Sequence, residues 1–368
     1  MAETTTPECA TSERAQTDRS PTRPAVSRRT VLTTGAALLA LPLGVRPAAA
    51  QNTVDDTVDI AAARKEGRVT IYTSAPIGAA QKVASSFEAK YAIKVELFRS
   101  GGTEVLRRFM MERDAGFRAA DVLVTSDPSA AIELAAKGAF VPFRPAGHDT
   151  VPAAINDADG RYIAQRISLI ANYLRADLVQ AADYPRAWSD LARPKYKGRL
   201  VMTDPSYTSL QLAVTAMLSK LHGWKLYEAL QNNDILIVKG NEQALGMLKR
   251  GERHIAIAAD SQYANEARLQ GHNIEIVLPE DGTFAIPAVT AIVNGCPSPN
   301  AAKLLAEYLL SAEAQRLWPA SGIYAARSDI APPEGSPRIA DARLIAVDYV
   351  YLQAQSAAIK KKFGEIFS

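Results

Sequence analysis

One feature constrains this chain more than any other. A short apolar strand runs into a turn rich in hydroxyls and glycine, then into an amphipathic helix, and the unit repeats. Residues 67–74 (GRVTIYTS) read as a buried strand ending in hydroxyls, and residues 79–91 follow as a helix with Val83, Phe87 and Tyr91 at helical spacing. Residues 93–98 alternate as a strand and run into Ser100-Gly101-Gly102-Thr103, after which Val105, Leu106, Phe109 and Met110 mark one helix face. A third strand, residues 120–124, ends in Thr125-Ser126-Asp127-Pro128, where Ser126 or Asp127 caps the next helix and Pro128 suits its first turn.

Such alternation predicts an α/β protein in which each sheet is mainly parallel and flanked by helices on both faces. The pattern lapses over residues 143–159, resumes as a strand at 162–173, and starts again in a second region. There the expected strands are 198–202, 235–238 and 255–259, and the expected helices 209–221 and 242–250. Residues 284–293 are extended, 299–310 and 312–318 helical, and a last helix pattern runs from 339 to about 363. At 368 residues and 48% hydrophobic content the chain is long enough for two lobes. We expect the first lobe to begin with residues 51–171 and the second to span 172–283. Residues 284–368 then return to the first, C-terminal helices included. Two such crossings make a hinge with a cleft between the lobes.

The first fifty residues read as an address. Ser27-Arg28-Arg29-Thr30-Val31-Leu32 is followed by an uncharged stretch over residues 31–45, then by Arg46-Pro47-Ala48-Ala49-Ala50. A basic start, an apolar run of roughly 15 residues and small residues at the end match a cleaved signal peptide, with the mature chain starting near Gln51. A membrane anchor needs about 20 apolar residues, and Pro42 and Gly44 interrupt this run. The arginine pair resembles a twin-arginine signal, although Val31 stands where Phe or Leu is usual and no Lys follows. The expected location is therefore the periplasm. Without residues 1–50 the balance is 36 Lys+Arg against 35 Asp+Glu, which gives no electrostatic argument for a nucleic acid partner. Of the cysteines, Cys9 lies in the leader, so Cys296 has no internal disulfide partner.

The candidate chemistry lies where strands end. Thr73-Ser74, Ser100 to Thr103, Ser126-Asp127 and Asp204-Pro205-Ser206-Tyr207-Thr208-Ser209 each fall between a strand and a helix. Ligands of open α/β sheets bind beyond the carboxyl ends of the strands, and helix N-termini favour anions. One such motif is an ordinary helix cap; several at successive strand ends, in both regions, point to a cleft. Signatures of catalysis are absent: there is no GxSxG, HExxH, GxxxxGK[ST] or strand-linked GxGxxG. His148, His222, His254 and His272 are scattered, Cys296 has no histidine near it in sequence, and Lys360-Lys361-Lys362 reads as a solvated helix end. No cofactor is expected.

These residues together resemble the type II periplasmic solute-binding proteins of ABC importers, in the branch that serves ferric iron, 2-aminoethylphosphonate and sugar phosphates. The resemblance covers about residues 60–330. It is carried by GRVTIYTSAP, KVELFRSGGTEVLRRF, ADVLVTSDP, DPSYTSLQLAV and NAAKLLAEYLLSAEAQRLWPASGIYAARSD. It implies a two-lobed, monomeric binding protein that closes on a small ligand and docks on an inner-membrane permease. Implied ligand contacts are Thr73, Ser74, Ser100, Gly101, Gly102, Thr103 and Ser126 on one lobe. On the other they are Ser206, Tyr207, Thr208, Ser209, Asp260 and Tyr263, with Asn172 on the crossing strand. Iron-binding members carry an adjacent tyrosine pair where this chain reads Asp260-Ser261-Gln262-Tyr263-Ala264, and no histidine precedes His148 after the leader. The expected ligand is therefore a small organic anion (phosphonate, phosphate ester or carboxylate), with no metal. The alternative is ferric iron or a ferric chelate held by Tyr207 and Tyr263. An enzyme or a periplasmic sensor subunit on the same fold is a further rival.

Overall fold

A computed structural model describes residues 56–368, so the expected leader and the start near Gln51 lie outside the described residues. The chain opens with α1 (Ile60–Glu66), held at its start by Asp59, whose carboxylate accepts from the Ala62 N–H at 2.9 Å, and ended by Gly67 at φ 72°. Then come β1 (Arg68–Thr73), α2 (Ile77–Tyr91), β2 (Lys94–Arg99), α3 (Gly102–Asp114), β3 (Val122–Thr125), α4 (Pro128–Ala136) and β4 (Phe140–Val141). Asp127, not Ser126, caps α4, accepting from the Ala130 N–H at 3.1 Å. The strand β5 (Ile163–Arg175) leads into the second region: β6 (Leu200–Thr203), α5 (Ser209–His222), α6 (Lys225–Asn232), β7 (Leu236–Val238), α7 (Asn241–Lys249), β8 (Ile255–Asp260), α8 (Ser261–Leu269) and β9 (Ile274–Val277). The return consists of β10 (Ala285–Val293), α9 (Pro299–Leu309), α10 (Ala312–Leu317), β11 (Tyr324–Ala325) and α11 (Tyr349–Phe367). Among the described residues no helix is long and apolar enough to cross a membrane.

The strands form one curled mixed sheet in the order β2-β1-β3-β10-β5-β8-β6-β7. Each end is parallel, as the alternating units require: β1 pairs in parallel with β2 and β3, and β6 with β7 and β8. Antiparallel β5 and β10 join the two ends. β5 is continuous over thirteen residues, about 40 Å at the usual rise per residue, and all but its last are buried. Its first half pairs with β10 and its second with β8 and β9, so one strand belongs to both lobes. One core gathers β1 and β3 with α2, α9 and α10, through Ile71, Val83, Phe87, Leu305 and Trp318, and another packs α3 and α4 through Leu106, Phe109 and Leu134. In the second lobe Met202, Leu212, Met217 and Tyr227 form one core, and Val201, Leu245, Leu248 and Tyr263 another.

Two expectations change. The last helix begins ten residues later than its apolar pattern suggests. Ahead of it, the Thr283 N–H donates to Arg343 O at 2.8 Å and the Ile345 N–H to Thr283 O at 2.7 Å, a β-type pairing that takes this backbone out of the helix. Nor do the C-terminal segments all pack on the first lobe: Leu352, Ile359 and Phe363 of α11 are buried in the second-lobe core with Met217 and Tyr227. The chain thus crosses between lobes three times, not two.

Asn172 is a third correction. Expected to face the cleft, it is fully buried in β5, at the point where the β5–β8 register slips. There its side-chain oxygen accepts the Ala258 N–H at 3.1 Å, and Ala258 sits at φ 52°, outside strand geometry. The amide replaces a ladder bond that the irregularity removes. Asn172→Leu would strand the Ala258 N–H, and urea unfolding is expected to show a loss of about 1–3 kcal/mol.

Candidate functional site

Both parallel ends of the sheet direct their strand termini into one cavity of about 160 Å³ between the lobes. The first lobe contributes Ser74 after β1, Arg99 at the end of β2, Gly101 and Gly102 at the start of α3, and Ser126 after β3. The second contributes Tyr207 to Leu210 at the start of α5, Lys239 to Glu242 at the start of α7, and Asp260, Gln262 and Tyr263 around the start of α8. Arg166, in the first half of β5, forms the floor.

Of the fourteen residues expected from sequence, nine line this cavity: Ser74, Gly101, Gly102, Ser126, Tyr207, Thr208, Ser209, Asp260 and Tyr263. The other five are used elsewhere. Thr73 is buried and its hydroxyl accepts the Ala75 N–H at 3.0 Å, while Ser100 extends the β-ladder by donating its N–H to Thr73 O at 3.3 Å. Ser206 is exposed, its N–H turned back onto Asp204 Oδ1 at 2.6 Å. Thr103 reaches across the cleft at its rim, where its hydroxyl donates to Tyr207 O at 3.4 Å. Asn172 lies in the strand ladder, as described. The cavity adds Arg99, Arg166, Leu210, Lys239, Gly240, Asn241, Glu242 and Gln262 to the expected set.

Two of the helices that open on the cavity carry no side-chain cap. Gly101 precedes α3 and Gly240 precedes α7, so neither helix start is occupied by its own cap residue. The lobes come to contact distance here: a Cβ at 102 would sit 3.4 Å from Ser209 Oγ across the cleft. The other two helix starts are closed, α5 by Thr208, which accepts from the Gln211 N–H, and α8 by Asp260, which accepts from the Gln262 N–H at 3.1 Å.

The floor is electrostatically unusual. Arg166 is only 2% exposed, and its Nη2 donates to Ser126 Oγ at 3.1 Å while its Nε has no partner. Burial lowers its pKa, and Asp260 opposes that fall. Asp260 is equally buried, its Oδ2 is unpaired, and burial pushes its carboxyl up to about 6 despite Arg166. At the mouth Arg99 Nη2 pairs with Glu242 Oε1 at 3.2 Å, and Lys239 Nζ lies 5.3 Å from the Tyr207 ring centroid. Tyr263 donates to Glu242 Oε1 at 3.5 Å, and burial raises its phenol well above the ordinary tyrosine value. Phenolate formation there is therefore costly, and among the described residues no group of three or more His, Cys, Asp or Glu gathers around a point. Cys296 lies away from the cavity, its thiol pushed up to about 12 by burial, which keeps it unreactive.

The family described as bacterial extracellular solute-binding protein matches residues 69–324 of this chain. A Salmonella typhimurium protein named "Putative 2-aminoethylphosphonate-binding periplasmic protein" is 30% identical over 281 residues, covering 71% of this chain and 78% of that protein. Among solved structures, fructose-6-phosphate-bound AfuA from Actinobacillus pleuropneumoniae aligns with a TM-score of 0.72 at 21% identity, over 82% of this chain and 98% of that one. Iron-bound HitA from Pseudomonas aeruginosa aligns with a TM-score of 0.70 at 19% identity, over 81% and 99%. At these identities the two structures speak for the fold: periplasmic binding proteins of two lobes.

Proposed function

The chain belongs to the bacterial extracellular solute-binding protein family, and from that premise we propose that it captures a small organic anion between its lobes and presents it to an inner-membrane ABC permease. The ligand class is a phosphonate, a phosphate ester or a carboxylate. One observation carries the reading: a buried guanidinium, Arg166, donates from Nη2 to Ser126 and keeps its Nε free at the floor of the cavity. A guanidinium offers five donors in a planar fork that matches the oxygens of such anions, and two uncapped helix starts add partial positive charge.

In this proposal the anion enters the open cleft and meets Ser74, Ser126 and the α3 start. The second lobe then closes, bringing the α5 and α7 starts onto it. Binding favours the closed form only by its differential affinity for that form. The lobes divide near Asn172 and Phe284, and the chain acts as a monomer, by binding without turnover. Export through the leader at residues 1–50, of twin-arginine type, delivers it to the periplasm.

A thermal-shift screen of protein unfolded and refolded to strip bound solute tests the proposal. The panel sets 2-aminoethylphosphonate, phosphate esters and small carboxylates against ferric citrate. A ligand at a hundred times its Kd stabilises by about 2.7 kcal/mol, which moves the midpoint by several degrees. The expected result is a shift with an organic anion that survives a chelator. A shift with ferric iron alone, abolished by chelator, would overturn it and make Tyr207 and Tyr263 the first ligands to mutate.

A further inference from the structure

The anion cavity has a neighbour. A second, larger chamber of about 390 Å³ lies beside it, and the two share Arg99, Glu242, Gln262 and Tyr263 as walls. Two of these shared residues form a cross-lobe ion pair: Arg99 leaves the end of β2, Glu242 stands in the first turn of α7, and their side chains meet at 3.2 Å. Arg99 is anchored, its Nε donating to Ala75 O at 3.1 Å. Glu242 is not held in the same way, since its side chain is 63% exposed and Tyr263 reaches it only at 3.5 Å. Exposed ion pairs contribute little net free energy, so this one opens at small cost.

The outer chamber's lining says what would enter it. Ile77 and Leu269 are apolar side chains left 46% and 64% exposed at its edge, and Ile323 lines it with them. Lys82, Glu266 and Gln270 supply polar groups around them. That mixture suits a carbon skeleton carrying polar substituents, not a bare anion. We infer that the outer chamber is a second ligand subsite and that the Arg99–Glu242 pair is a displaceable partition. The preferred ligand is then an anionic head seated at Arg166 with an organic body that passes between Arg99 and Glu242. This inference rests on the anion-capture reading and narrows its substrate class.

Calorimetric titration of two matched pairs tests it: methylphosphonate against hexylphosphonate, and methyl phosphate against glucose 6-phosphate. The readout is the affinity ratio, long over short, within whichever pair binds. The expected ratio is tenfold or more in the unaltered protein. It should fall about tenfold in Leu269→Trp, which fills the outer chamber from an exposed position, and rise severalfold in Glu242→Ala, which removes the partition. A ratio near one, or a ratio that Leu269→Trp does not move, overturns the outer subsite while leaving anion capture at Arg166 standing. Failure of all four compounds to bind, with binding of ferric citrate instead, overturns both.

Discussion

Replacing Arg166 with methionine is expected to weaken anion capture by at least a hundredfold. The residue lies inside the first half of β5, paired through its backbone with Ala288 of β10 and Ala325 of β11, so its side chain is aimed by a strand enclosed on both sides. Hydrogen bonds to charged groups are worth about 1.5–3 kcal/mol each, and a guanidinium commonly makes them in pairs. A hundredfold in Kd is about 2.7 kcal/mol, within the reach of one lost pair. Lysine should not restore the affinity, because a point charge on a flexible stem does not reproduce the planar fork. Methionine has similar length but takes away the positive charge that Asp260 faces, so in urea unfolding the ligand-free single variant should lose stability at neutral pH and recover it when Asp260→Asn is added. Loss of binding in the double variant, with its stability intact, is the expected pairing. Binding unchanged in Arg166→Met would remove the anion site from the floor.

The second large effect is expected at Asp260. Its folded-state carboxyl is pushed up to about 6 from an ordinary 3.8, chiefly by burial, against the pull of its hydrogen bonds and of Arg166. The folded protein therefore holds this proton more tightly than the unfolded chain does. Between pH 3.8 and 6 the native state binds the extra proton, so stability falls as pH rises through that window. The full difference is about 3 kcal/mol, and at neutral pH the wild type bears all of it. Asp260→Asn keeps an oxygen to accept the Gln262 N–H and cap α8, but has nothing to ionise. Its melting temperature should exceed the wild type's by several degrees at pH 7.5, with the two curves converging near pH 4. A constant difference across that range, or a lower value for the variant at pH 7.5, would mean that the Asp260 charge is a needed counter-ion for Arg166.

How much of this was legible in the sequence depends on how local the signal is. Ser74, Gly101, Gly102, Ser126 and Tyr207 were readable because hydroxyl and glycine turns between a strand pattern and a helix pattern are written in adjacent residues. Lys239-Gly240-Asn241-Glu242 has the same form after β7, and reading that turn with the others would have found it. Arg166 carried a different signal: a charge inside the apolar run Ile163-Ala164-Gln165-Arg166-Ile167, where burying an ion is expensive unless it serves something. Asn172 could not be placed from sequence. Its role depends on where the register between β5 and β8 slips, and those strands lie far apart in the chain. The late start of α11 is similar, since the apolar residues ahead of it satisfy a helical period while their backbone is claimed by Thr283.

The continuity of β5 and the late arrival of β10 set the order in which this molecule can come together during synthesis. Strand β3 pairs with β1 on one side and β10 on the other, yet β10 is made only after β5 to β9. At ribosomal speeds of about 5–20 residues per second, the β3 edge stays unpaired for on the order of ten seconds. Through that interval the nascent first lobe has only part of its sheet and lacks α9 and α10, which cover one face of its core. The second lobe waits as well, because its core includes Leu352, Ile359 and Phe363 of α11, the last helix to be made. Each lobe is therefore finished only by the C-terminal return, the first by β10, α9 and α10 and the second by α11.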